Sequence, residues 1–248
     1  MRALVNNSWV TQVHPVTKDE FERLEPTVDR LQEAHFFLHG LENYYHFADP
    51  FRWHLNTFLR AIKEIPQLIS MGLQNRPGFP DWYRPKREAL SADPLVGYLA
   101  QQRDFVVHRG MLKPRSRGFI GITEGRGMKL GMGISIDPLT DSDDAMKRYL
   151  STIPASGDVL GLLTEDEDSL PAVERQWGLE PFGDADLVDL CAKAWLQTGS
   201  LVTAVVNELK GPEFAPKLDC RHHLDAVRIR AYSRKKLRSG VVEAVRLR

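Results

Sequence analysis

The chain has 248 residues, of which 42% are apolar and 27% are charged, and its 33 basic residues balance its 33 acidic ones. This composition excludes a disordered chain, and no apolar run is long enough to cross a bilayer. Residues 1–9 contain no apolar signal segment and the whole chain has two cysteines, so we expect a cytoplasmic protein.

Two amphipathic helices are predicted in the first part of the chain. Apolar residues recur at helical spacing over residues 27–47, and a second such stripe covers residues 51–69. Pro66 interrupts the second stripe, where we expect a kink. Residues 76–85 are rich in proline and are predicted to form an ordered loop.

A third helix is predicted over residues 93–110, because both of its ends are encoded. Asp93 is a good N-cap, Pro94 suits the first helical position, and Gly110 can adopt a left-handed conformation after the last turn. Together with the two preceding helices it would form a bundle.

The pattern changes after this helix. Residues 119–136 alternate with period two and predict a β-hairpin that turns near residues 124–127. The glycines there lack the Lys-Ser/Thr of a phosphate-binding loop, and a strand follows where a helix is required. A further helix is predicted over residues 184–210. We therefore expect a mainly α fold in which residues 1–117 form a helical bundle and residues 118–248 add a hairpin, a helix and a basic tail packed on it.

Charge is distributed unevenly along the chain. Acids outnumber bases between residues 137 and 180, whereas residues 221–248 hold nine Lys or Arg against two acids. A second basic cluster begins directly after His108, in the last turn of the third helix, and could attract RNA phosphates; its members are Arg109, Lys113, Arg115 and Arg117. The alternative is that both basic regions are solvated faces, paired in part with the acidic middle.

Histidines and cysteines suggest a weaker metal hypothesis. His35 and His39 are four residues apart on the first helix, with Glu42 as a possible third ligand. A separate zinc site is conceivable from Cys191, Cys220, His222 and His223. Neither set follows HExxH or regular cysteine spacing. We therefore favour polar helix positions for the first set and a loop or strand start for the second, and predict no metal and no cofactor.

The run Arg103-Asp-Phe-Val-Val-His108 resembles the R-x4-H signature of the HEPN superfamily, helical domains that often act as metal-independent ribonucleases. Residues 51–65 resemble the long second helix of these proteins, and the resemblance extends over about residues 27–113. It implies an HEPN-like bundle and an endoribonuclease of a toxin or phage-defence system. Asp104 stands where the family usually has asparagine.

The resemblance also implies a mechanism and partners. His108 would exchange protons with the attacking and leaving oxygens, Arg103 would bind the phosphate, and Asp104 could orient the His108 of a second copy. Arg103 and His108 diverge by about 140° on one helix, so we expect a homodimer with a shared cleft, RNA as substrate and an antitoxin protein as a possible partner. Three alternatives remain. In the first, Arg103 and His108 form a salt-bridge and hydrogen-bond pair that only ties the bundle together. In the second, the protein is a non-catalytic HEPN-derived module that binds RNA, nucleotide or a partner protein, and in the third it is a metal-dependent hydrolase that uses the histidines of the first helix.

Overall fold

A computed structural model describes residues 18–110, 112, 114–153, 157–164, 168–209, 211–220 and 227–247. Five helices come first in the chain: α1 (Lys18–Glu22), α2 (Glu25–Asn43), α3 (Ala48–Leu73), α4 (Phe79–Ala92) and α5 (Pro94–Arg109). The predicted helices at residues 27–47, 51–69 and 93–110 are confirmed. Gly40 lets α2 and α3 approach closely, because a Cβ there would lie 2.0 Å from the His54 ring.

The loop predicted over residues 76–85 is wrong, because α4 begins within it. Pro80 lies in the first turn of α4, where a missing N–H costs no hydrogen bond. Phe79 and Tyr83 are buried, and the Tyr83 hydroxyl donates to the Pro66 carbonyl of α3 at 2.9 Å. Packing against α3 therefore outweighs the unfavourable Pro85 inside the helix.

Asp93 caps α5 as its sequence predicts. Its Oδ1 accepts hydrogen bonds from the backbone N–H groups of Leu95 and Val96 at 2.9 and 3.0 Å, and its Oδ2 accepts one from Gln197 at 2.8 Å. The bond from Val96 holds the pKa of Asp93 below its usual value. Gly110 follows the helix with a φ of +120°, a conformation that glycine tolerates.

Replacing Asp93 with alanine is expected to lower the free energy of unfolding by about 1 kcal/mol at neutral pH, since two N–H groups lose their acceptor. Because the folded-state pKa is lowered, this contribution is present above the ordinary aspartate pKa of about 4 and is lost as the pH falls through the folded value. Urea unfolding at pH 7 and pH 3 measures it. Asp81→Ala, at an exposed aspartate of α4, serves as the control, and an equal loss in both variants would contradict the capping role.

Five antiparallel strands form one sheet: β1 (Arg115–Glu124), β2 (Gly127–Ser135), β3 (Pro171–Gly178), β4 (Ile229–Tyr232) and β5 (Ala244–Val245), in the order β2-β1-β3-β4-β5. The predicted hairpin is confirmed as β1 and β2. The predicted mainly α fold is wrong, because the chain combines helices with a five-stranded sheet. Period-two alternation fails for β3, which is largely buried along both faces, and β4 and β5 are too short to show it.

Three further α-helices, α6 (Ser142–Leu150), α7 (Leu187–Glu208) and α8 (Arg234–Arg238), and two short 3-10 helices, Glu180–Phe182 and Pro212–Phe214, complete the described fold. The predicted helix at residues 184–210 is confirmed as α7, which shares a hydrophobic core with α2, α3, α4 and α5. A second core joins α6 to the sheet through Met146, Ile120, Val173 and Tyr232. The division at residue 117 stays a prediction.

A buried polar network joins the helices to the sheet. The Trp177 indole N–H of β3 donates to the Tyr45 carbonyl after α2 at 2.7 Å, and the Tyr45 hydroxyl donates to Asp186. Asp186 also accepts from the Val188 N–H at 2.9 Å and thereby caps α7. Burial raises the pKa of Asp186, and Arg228 lies 3.5 Å from its carboxylate.

None of the described helices is both long and apolar enough to cross a bilayer.

Candidate metal centre

Within one chain, the three residues predicted to be catalytic are not brought together, and the composite site with a second copy stays a prediction. Asp104 forms an ion pair with Lys63 of α3 and lies 3.3 Å from the Arg103 guanidinium, and the bond from Lys63 keeps the Asp104 pKa low. His108 is exposed in the last turn of α5. Within the described residues, no hydrogen bond joins Arg103 to His108. The side chains of Asp104 and Lys63 thus link α5 to α3. This is a different pair from the Arg103 and His108 pair of the packing alternative, and the roles of Arg103 and His108 stay predictions.

The predicted RNA-binding cluster is partly neutralised. Arg115 donates to the Gly183 carbonyl at 2.7 Å and lies 3.8 Å from Glu180. Arg117 lies 2.9 Å from Asp184. Arg109 is exposed at the end of α5, and Lys113 lies outside the described residues. The cluster's affinity for RNA stays a prediction.

Arginines of the basic tail are largely engaged within the fold. Arg230 forms two bonds with the Asp143 carboxylate, at 2.6 and 3.0 Å. Arg234 and Arg238 donate to the carbonyls of Leu162 and Leu163 at 3.1 and 2.8 Å. The pairing of Arg230 with Asp143 joins the tail to the acidic middle, as one sequence alternative proposes. These arginines therefore help to hold β4 and α8 in place.

Two histidines of α2 and a cysteine distant in sequence lie close together beside this helix. His35 Nε2 lies 3.1 Å from His39 Nε2, and Cys220 Sγ lies 3.6 Å from the same His39 nitrogen. All three ligand atoms lie within 4.8 Å of one another. The i, i+4 spacing places both imidazoles on one face of α2. The fold thus brings together two nitrogen ligands and one sulfur ligand.

Two of the three separations are close to those expected around one tetrahedral zinc ion. Bonds of about 2.05 Å to nitrogen and about 2.3 Å to sulfur place two nitrogens about 3.3 Å apart and a nitrogen and a sulfur about 3.6 Å apart. The two measured distances to His39 Nε2 are 3.1 and 3.6 Å. The third pair, His35 and Cys220, lies within 4.8 Å, so rotation of these two side chains could bring all three atoms to one zinc ion.

Glu42 orients the His39 ring for metal binding. Its carboxylate lies 2.8 Å from His39 Nδ1, and only 11% of its side chain is exposed. A carboxylate accepts hydrogen bonds, so the Nδ1–H of His39 donates to Glu42, and Nε2 is the ring nitrogen that faces His35 and Cys220. Carboxylate, histidine and metal form such a chain in many zinc sites, where the carboxylate orients the ring and raises its basicity.

Neighbouring elements hold the other two ligands. The His35 ring stacks on Trp195 of α7 with centroids 4.4 Å apart, and the Trp195 indole N–H donates to the Leu31 carbonyl. Leu218 packs where Gly199 of α7 has no Cβ, which draws residues 215–220 onto the helices. Burial, together with Glu42 and Asp219, raises the pKa of Cys220 to about 11, so a bound metal would displace the thiol proton.

The sequence indicates only part of this centre. Helical spacing pairs His35 with His39, but Glu42 contacts His39 instead of serving as the third ligand. Cys191 does not join Cys220, because it is fully buried in the core face of α7. A separation of 181 residues between His39 and Cys220 leaves no local spacing to recognise. His222 and His223 lie outside the described residues.

One protein-family model matches most of the chain. Residues 20–223 match the family described as bacteriophage lambda protein ea47. The chain belongs to this family. The description of the Ea47 family names a phage protein and no activity. No curated protein and no solved structure matches the chain.

Membership of the Ea47 family shows that the resemblance to the HEPN superfamily is wrong. Two fixed residues with four between them recur by chance in helices, and here the first of them lies beside the ion pair between α5 and α3. Cleavage of RNA, an antitoxin partner and formation of a homodimer stay predictions, which the match to the Ea47 family does not test.

Proposed function

We propose that the protein is a zinc-binding protein whose ion is held by His35, His39 and Cys220. The observation that carries the proposal is the convergence of three ligand atoms within 4.8 Å from segments 181 residues apart. The Glu42 carboxylate behind His39 is a second feature typical of a built site.

The donor set favours zinc among divalent ions. A thiolate and two imidazoles are soft and borderline ligands, which bind Zn²⁺ and exclude Mg²⁺ and Ca²⁺, whose ligands are oxygens. The described residues supply three ligands, which leaves one coordination position of a tetrahedral ion for a further donor.

The proposed role of the ion is structural. Phe36 follows His35, where a metalloprotease HExxH motif has its glutamate base, so this motif gives no support for peptide hydrolysis. The ligands instead come from α2 and from residues 215–220. One ion would therefore fasten the segment that leads to β4 onto the first long helix.

Titration with Co²⁺ is expected to test the site directly. Metal-stripped protein should bind one equivalent and develop the near-ultraviolet charge-transfer band of a cobalt thiolate. Cys220→Ser should lose the band, and Glu42→Gln should weaken binding about 10- to 100-fold. Cys191→Ala, at the other cysteine, should retain it. A band of unchanged intensity in Cys220→Ser, or the absence of saturable binding, would refute the proposal.

A further inference from the structure

A cavity of about 640 Å³ lies between the α2–α3 turn and strands β4 and β5. Three arginines line it: Arg126 of the β1–β2 turn, Arg230 of β4, and Arg246 just after β5. Its volume lies within the range of ligand pockets. Segments distant in sequence thus supply three cationic side chains to one concave surface.

The cavity carries an excess of positive charge. Asp143 neutralises Arg230 through two hydrogen bonds. Arg126 and Arg246, in contrast, form no ion pair in the described part of the chain. The one acidic side chain of the lining, Glu42, is mostly buried and bonded to His39. An anion entering the cavity therefore meets two guanidinium groups that it can pair with, and guanidinium groups match phosphate oxygens in geometry.

A row of aromatic rings leads from the surface of α2 to this cavity. Successive centroids from Phe36 through Phe37, His54 and Tyr44 to Phe47 lie 4.9 to 6.4 Å apart. The row begins at Phe36, which is 68% exposed, and includes Tyr44, which is 41% exposed. Its last ring, Phe47, lines the cavity and lies 4.8 Å beneath the Arg230 guanidinium.

We propose that this surface binds single-stranded nucleic acid. Phosphates would pair with Arg126 and Arg246 in the cavity, and unstacked bases would lie on the exposed rings of Tyr44 and Phe36. Single-strand binding sites combine a positive groove with aromatic faces in this way, because every base has a face that stacks. An acidic peptide could use the arginines but would leave the two exposed rings without a matching group. A duplex keeps its bases stacked inside and could not use the rings either.

Fluorescence anisotropy with labelled single-stranded RNA and DNA of mixed sequence is expected to show binding that weakens as salt rises. Arg126→Ala combined with Arg246→Ala should lower the affinity and flatten the salt slope by about 1.4, because two phosphate contacts are lost at about 0.7 each. Tyr44→Ala should lower the affinity at least about fivefold through loss of one stacked base. These residues are exposed, so their variants are expected to fold, which circular dichroism checks.

Arg84→Ala combined with Arg87→Ala, on α4, serves as the matched control and should leave affinity and salt slope unchanged. Equal affinity for duplex, displacement by a mononucleotide or inorganic phosphate as readily as by the oligonucleotide, or an unchanged slope in the Arg126 and Arg246 variant would overturn the proposal. That variant should still develop the cobalt thiolate band, so failure here is distinguishable from failure of the metal site.

Discussion

Zn²⁺ at a thousandfold excess over its dissociation constant is expected to raise the free energy of unfolding by about 4 kcal/mol. The reason is that His35, His39 and Cys220 are close together only in the folded chain, since 181 residues separate the last two. For a protein of this size the gain corresponds to an increase in Tm of about 8 to 16 °C. Thermal unfolding of the same protein with Zn²⁺ and after treatment with EDTA measures the difference.

His39→Ala removes the central ligand of the proposed site and should abolish this increase in Tm. His108→Ala removes an exposed histidine at the end of α5 and should leave the increase intact. An increase of the same size in both variants would mean that Zn²⁺ binds elsewhere. Identical melting of the wild-type protein with and without the ion would contradict a structural metal.

Replacing Trp177 with alanine is expected to lower the free energy of unfolding by about 3 to 5 kcal/mol. The side chain is fully buried, stacks on Phe51 of α3 with centroids 4.4 Å apart, and lies 3.7 Å from the buried Arg175 guanidinium. Its removal leaves a cavity between the sheet and the helices. It also takes away the donor to the Tyr45 carbonyl and the ring that faces a buried cation.

Urea unfolding followed by circular dichroism gives this quantity without relying on tryptophan fluorescence. Trp53→Ala makes the same chemical change at a side chain of α3 that is 58% exposed, and should cost less than about 0.5 kcal/mol. A loss below about 1 kcal/mol for Trp177→Ala would show that the contact between sheet and helices is not tightly packed there.

Long helices were the most predictable part of this fold. The apolar stripes of α2 and α3 repeat over five or more turns. The ends of α5 are predictable from Asp93, Pro94 and Gly110, because each of these residues favours the local backbone conformation found at a helix end. The helix α4 escaped prediction because its stabilisation comes from Tyr83 packing on α3. The proline content of residues 76–85 does not indicate the contact between Tyr83 and α3.

Most of the sheet could not be predicted for a related reason. Within β3 a buried Arg175 is followed two residues later by Trp177, and the arginine is satisfied by the Ser116 hydroxyl and the Thr140 carbonyl. A charged residue breaks the apolar pattern by which a buried strand is recognised in a sequence. Its acceptors, which make burial possible, are distant in the chain and cannot be identified from the local sequence. The proposed metal centre could be predicted only in part for the same reason, since helical spacing pairs His35 with His39 and only the tertiary fold brings Cys220 beside them.

The order of strands in the sheet has a consequence for synthesis on the ribosome. β3 pairs with β1 along one edge and with β4 along the other, but β4 follows it by about fifty residues. At about 5 to 20 residues per second, the second edge of β3 remains uncovered for roughly 3 to 10 s after the strand emerges. An uncovered edge can pair with another nascent chain. The helix α7 is translated within this interval, and its packing onto α2 gives the growing chain a folded partner before the last strands arrive.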